Sequence, residues 1–124
     1  AVRYDVGERS NFILVPMALA GIELLLEWGV QRLEAYARGL SRPLVESARA
    51  LGYAAEPPDG CAPHIVGLRM PEGLELARLE EALRVRNIFV SLRGSALRVS
   101  VGAYNDETDV AVLLEALEAA RAGG

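Results

Sequence analysis

The sequence predicts an α+β fold: a small, mainly antiparallel three-stranded sheet with helices packed on one face, preceded by a connecting helical arm. Three observations predict it. Two short runs rich in Val, Ile, Leu and Phe, Ile88 to Arg93 and Leu97 to Val101, flank Gly94-Ser95, the pattern of a tight hairpin. Apolar residues at Val30, Leu33, Ala37, Leu40, Leu44, Ala48 and Leu51 recur in steps of three or four, which is one stripe of an amphipathic helix. Tyr104-Asn105-Asp106-Glu107-Thr108-Asp109 then starts a Leu-rich helix with acids suited to its first turn.

Taken in order, Ala1 to Ser10 reads as a mixed, extended segment, and its start without methionine is compatible with initiator removal or with a cut from a longer chain. Pro16 suits a first helical turn, Met17 to Leu26 supplies the apolar residues of a helix, and Trp28-Gly29 closes it, with Trp28 as packing for the arm. Residues 1–28 form the expected connecting arm and residues 29–124 the expected domain. The long amphipathic helix that follows keeps Gln31, Arg32, Glu34, Arg38, Arg42, Glu46 and Arg49 on its polar face. Pro43 is expected to kink it, or to restart it after Ser41 as a new cap, and Gly52 to end it in the left-handed conformation.

Glu56-Pro57-Pro58-Asp59-Gly60 is a loop. Ala62 to Met70, rich in Ile, Val and Leu with weak alternation, reads as a strand covered on both sides, and Pro71-Glu72-Gly73 turns the chain into a helix from Leu74 to about Arg84. Gly at the first central position permits a two-residue turn at Gly94-Ser95. Arg93 then pairs with Ala96, Ser91 with Arg98, Val90 with Val99 and Phe89 with Ser100. Ile88, Val90, Leu92, Leu97, Val99 and Val101 face the core; Phe89, Ser91, Arg93, Arg98 and Ser100 face away. Gly123-Gly124 reads as a frayed end.

That pairing makes Arg93 and Arg98 diagonal neighbours, about 7–8 Å apart by Cα. Two guanidinium groups flanked by serine hydroxyls can clamp a carboxylate, because a planar fork of donors matches its two oxygens and keeps its charge at any physiological pH. The alternative is a solvated sheet face on which both arginines only meet water. His64 reads as a core or edge histidine, with a general base as the other possibility, and Cys61 as an incidental thiol. The apolar run Phe12 to Leu26 must fold back on the core, meet a second copy in a homodimer, or pack against a further domain.

Composition narrows the function. A length of 124 residues suits one compact unit, and a net charge of −4 with scattered aromatics gives no footprint for nucleic acid. The longest apolar run is broken by Pro16 and stopped by Glu23, which leaves no membrane span. One cysteine excludes an internal disulfide, so a reducing cytoplasm is the expected compartment, and one cysteine with one histidine gives no metal site unless carboxylates from elsewhere converge on them.

The stretch Leu97-Arg98-Val99-Ser100, Tyr104 to Asp109 and the helix carrying Leu113, Leu114 and Leu117 resembles the C-terminal end of class V aminotransferases. This is the branch of fold-type I pyridoxal-phosphate enzymes that includes cysteine desulfurases, selenocysteine lyases and isopenicillin-N epimerase-like proteins. Arg3 to Gly7, Asn11 and Gly21 to Val30 resemble the arm by which such enzymes leave their cofactor domain. The resemblance implies a small C-terminal domain, equal to the last third of a family member, in which Arg98 grips the α-carboxylate of an amino-acid substrate and Arg93 assists. It implies pyridoxal phosphate in the full-length enzyme and none in this chain. All thirteen basic residues are arginine, and such enzymes hold the cofactor as a Schiff base on a lysine amine, so the chain is not catalytic alone. The hairpin turn carries no cysteine, which favours an epimerase, transaminase or lyase parent over a desulfurase. A free-standing carboxylate-binding module and a structural dimerisation domain are the other readings.

Overall fold

The computed structural model describes residues 12–122. The expected extended segment at Ala1 to Ser10, the family-like residues up to Asn11 and the glycines at 123 and 124 lie outside the described residues. The chain divides into two compact units that meet between Leu33 and Glu34.

The first unit contains α1, Leu14–Trp28, and the start of α2. Gly29 closes α1 at a φ of 82°, its N–H bonded to the Leu25 carbonyl, while Arg32 donates to the Glu27 carbonyl at 2.7 Å. The helix begins two residues before Pro16 and buries none of its residues. Met17, Leu19, Ile22, Leu26 and Trp28 are all exposed, Trp28 to 44%. Among the described residues no single helix is long and apolar enough to cross a membrane.

Helix α2, Val30–Ala50, which lies in the second unit from Glu34 onward, continues through Pro43 without a break, which corrects the expected restart at Ser41. The ring removes one backbone bond on an exposed face, while Leu40, Ser41, Leu44 and Val45 are buried on the other side. Burial of that stripe outweighs the lost bond. Gly52, at a φ of 89°, ends the helix as expected in a conformation that strains any L side chain, and the Arg121 guanidinium lies beside it and donates to the Leu51 carbonyl.

The loop contains one turn of 3-10 helix, Pro58–Gly60. Strand β1, Ile65–Arg69, alternates exposed and buried residues, with Val66 and Leu68 inside and Ile65, Gly67 and Arg69 outside. The expectation of cover on both sides is therefore wrong: glycine at 67 interrupts the outward half of the alternation, so the segment reads as more uniformly buried than it is. Helix α3, Leu76–Arg84, is followed by Asn87 at a φ of 54°, where Ile88 N–H returns to the Leu83 carbonyl at 3.0 Å. Asparagine is among the few side chains that accept this left-handed position.

Strands β2, Ser91–Arg93, and β3, Ala96–Ser100, form the expected hairpin, with Gly94 at a φ of 59°. Ser91 faces Arg98, Leu92 faces Leu97 and Arg93 faces Ala96. Pairing stops at Ser91, so the expected partnerships of Val90 with Val99 and Phe89 with Ser100 do not form. The chain has only just left α3 there, and Phe89 stands in solvent at 93% exposure. Antiparallel β1 lies on the other side of β3, in the order β1-β3-β2, with Val66 opposite Val99 and Leu68 opposite Leu97. Helix α4, Glu107–Ala122, completes the α+β fold.

One core joins the inward face of the sheet to α2, α3 and α4: Leu44, Val45, Ala48, Tyr53, Val66, Leu68, Leu79, Leu83, Leu97, Val99, Leu113 and Leu117. Leu97 is at 0% exposure on the central strand. Leu97→Ala leaves a cavity there and is expected to lower stability by about 2–5 kcal/mol in urea unfolding. Burial raises the Tyr53 phenol above its usual value, with the Arg121 charge opposing, and its hydroxyl donates to the Leu117 carbonyl at 3.2 Å. A phenol whose pKa is raised on folding contributes stability that is present below its unfolded value of about 10 and is lost as pH rises through the folded value. Urea midpoints above about pH 10 are therefore expected to fall more steeply for the wild type than for Tyr53→Phe.

Candidate functional site

The alternation that buries Leu97 and Val99 sends Ala96, Arg98 and Ser100 to the opposite, open face of the sheet. Because β3 is central, each of these has neighbours on both sides. Arg98 lies between Gly67 on β1 and Ser91 on β2, and its Nη2 donates to Ser91 Oγ at 3.4 Å. Nothing lies within 4 Å of the place a Cβ would occupy on Gly67, so the guanidinium has open space beside it. Ala96 lies between Arg69 on β1 and Arg93 on β2.

The sheet thus brings the two arginines expected from the hairpin together with a third, Arg69, which sequence reasoning missed. Its signal was the distant pairing of β1 with β3, which local patterns do not encode. The three strands carry no acidic residue. Elsewhere arginines do find acids: Arg38 pairs with Glu34, Arg42 with Asp59, Arg78 with Glu75 and Arg84 with Glu81. The hydrogen bond from Arg84 holds the Glu81 carboxyl below its usual range. Among the described residues, none of Arg69, Arg93 and Arg98 is ion-paired. In a chain of net charge −4, the open face is a local patch of cations.

The segment after β3 fixes this strand to the helices. Asp106 Oδ1 accepts from Thr108 N–H at 2.8 Å and Asp109 N–H at 3.1 Å, and Asp109 Oδ2 accepts from Asp106 N–H at 3.2 Å, a reciprocal cap. Asn105 Oδ1 accepts from Gly102 N–H, and the Tyr36 hydroxyl donates to the Asn105 carbonyl at 2.7 Å, tying the turn to α2. A groove of about 550 Å³ beside this turn is lined by Arg86, Asn87, Phe89, Ser100, Tyr104 and Asp109 among others. It shares Ser100 with the arginine face but contains neither Arg93 nor Arg98.

The remaining candidates stay apart. His64 is exposed, and its backbone carbonyl accepts from Val101 N–H at 3.0 Å. Cys61 is a half-buried free thiol lining a small hollow with Ser41, Val45 and Glu56. Among the described residues no three His, Cys, Asp or Glu side chains gather as metal ligands.

No family model matches the chain. It is 26% identical over 115 residues to an uncharacterised protein of Schizosaccharomyces pombe, an overlap of 89% of this chain and 25% of that protein. The fold is that of part of several aminotransferase-type structures. One is a NifS-like protein, at a TM-score of 0.65 and 22% identity, covering 77% of this chain and 29% of that one. Ureidoglycine-glyoxylate aminotransferase from Bacillus subtilis gives 0.65 and 23%, covering 82% and 28%. Alanine-glyoxylate aminotransferase from Nostoc sp. gives 0.66 and 18%, covering 97% and 34%. The resemblance to class V aminotransferases read from the strand, turn and helix is thus present in the fold as well. The chain spans about a quarter to a third of the length of these relatives.

Filling the space beside Arg98 tests the geometry of the face. Gly67→Val places a β-branched side chain on the open side of β1, where its Cβ has nothing within 4 Å, so thermal stability is expected to hold or to rise by up to about 1 kcal/mol.

Proposed function

We propose that the chain is the C-terminal domain of a pyridoxal-phosphate-dependent, aminotransferase-like enzyme acting on an amino acid, and that its contribution is recognition of the substrate carboxylate. Arg98 is the primary ligand of that carboxylate and Arg93 an auxiliary one. The observation that carries this reading is the placement of Arg98. It stands outward from the central strand, unpaired with any acid among the described residues, between the serine of one neighbouring strand and the glycine of the other. An arginine so placed keeps its fork of donors available and can take both oxygens of a carboxylate, which orients the rest of the molecule away from the sheet.

The residues present do not hold the cofactor. Pyridoxal phosphate is carried on a lysine amine, and every basic side chain in this sequence is a guanidinium. Its chemistry belongs to a further domain, and α1 is the surface suited to meet one: fifteen residues of high apolar content with none buried. The lengths of the structural neighbours, three to four times the matched part, support the same view. The absence of a cysteine between Arg93 and Arg98 favours an epimerase, transaminase or lyase over a desulfurase.

Calorimetric titration with α-amino acids tests the assignment. Wild type is expected to bind weakly, because the open face is in water, and Arg98→Ala to bind roughly ten-fold more weakly still. Identical heats from the two proteins would leave Arg98 without a binding role.

A further inference from the structure

We infer that the open sheet face holds a second anion subsite, formed by Arg69 and Arg93 on either side of Ala96, so that the preferred substrate carries a side-chain acid group besides its α-carboxylate. This rests on the assignment of Arg98 to the α-carboxylate and names the substrate class of that same site.

The register places the three arginines at the corners of a triangle. Arg69 and Arg93 both face Ala96, one from each side, so their Cα atoms stand two strand spacings apart, roughly 10 Å. Arg98 is two residues further along the central strand, diagonal to each, at about 7–8 Å. The residue between Arg69 and Arg93 has the smallest side chain that still has a Cβ, which leaves the floor low enough for two guanidinium groups to lean together over it. All three arginines are exposed. Like charges this close on a sheet repel, and none is neutralised by an acid on β1, β2 or β3. One carboxylate at Arg98 leaves Arg69 and Arg93 in excess; a second acid group reaching over Ala96 offsets part of their charge. Carboxylate and phosphate ester share the required chemistry, since either accepts two guanidinium forks.

The test compares glutamine, glutamate and O-phosphoserine as ligands of the 124-residue chain, by amide NMR at constant ionic strength. Glutamine and glutamate differ at the side-chain group alone. Glutamate or phosphoserine is expected to bind about five-fold more tightly than glutamine. Arg69→Gln is expected to reduce that preference while leaving glutamine affinity unchanged, and Arg93→Gln, which also assists at the α-carboxylate, to weaken glutamate more than glutamine; a tighter glutamate assigns the subsite to carboxylate and a tighter phosphoserine to phosphate. Equal affinity for all three ligands, or a preference that survives Arg69→Gln, overturns the second subsite while leaving Arg98 in place. Glutamine binding that Arg98→Gln does not weaken would instead remove the reading beneath it. Unchanged amide spectra of the unliganded variants establish that folding is intact.

Discussion

Strand β3 is the constraint on which the rest depends. It is paired on both sides, and its period of two gives it opposite duties: Leu97 and Val99 hold the sheet to the helices, while Ala96, Arg98 and Ser100 are carried outward by the same backbone. A shift of one residue would bury Arg98 among leucines and expose Leu97, so the burial that stabilises the domain also aims the guanidinium. The turn at Gly94-Ser95 and the reciprocal cap at Asp106 and Asp109 fix the two ends of that strand.

What was legible in the sequence was local. Gly94 allows one hairpin register among few, and three of the pairs it implies are present. Asp106 and Asp109 announce a helix start because a short acid three residues before another can satisfy two orphan backbone donors at once. The stripe from Ala37 to Ala48 follows directly from helical geometry. Longer-range features escaped. Nothing near Arg69 shows that it will lie across from Ala96, since the pairing of β1 with β3 joins residues some thirty positions apart. Pro43 misled because a proline counts against a helix locally, whereas the core contacts of Leu40, Leu44 and Val45 act on the helix as a whole. Pairing beyond Ser91 was over-extended because periodicity shows which face a residue takes but not where a strand ceases to have a partner.

The same distinction separates fold from activity. Identities of 18–23% to aminotransferase-type structures leave the architecture intact, as TM-scores of 0.65 and 0.66 attest. They fix no reaction. In this chain the described guanidinium groups on the open face of the sheet stand without ion-paired acids, while acids are matched to guanidinium groups on the helices. An α1 rich in leucine with nothing buried adds an apolar surface whose burial in an assembly would be worth far more, per residue, than any of those surface ion pairs.

The sheet also manages its borders. On β1 the backbone groups of Ile65, Gly67 and Arg69 point the same way, and two of those three N–H groups are already used, Ile65 by the Ala62 carbonyl and Arg69 by Ala54, which both donates to and accepts from it. On the opposite border β2 is three residues long and ends in a charged side chain. Neither rim offers the flat, uninterrupted ladder on which neighbouring molecules stack into fibrils, so the stickiness of the leucine-rich helix is kept separate from any tendency to polymerise through the backbone.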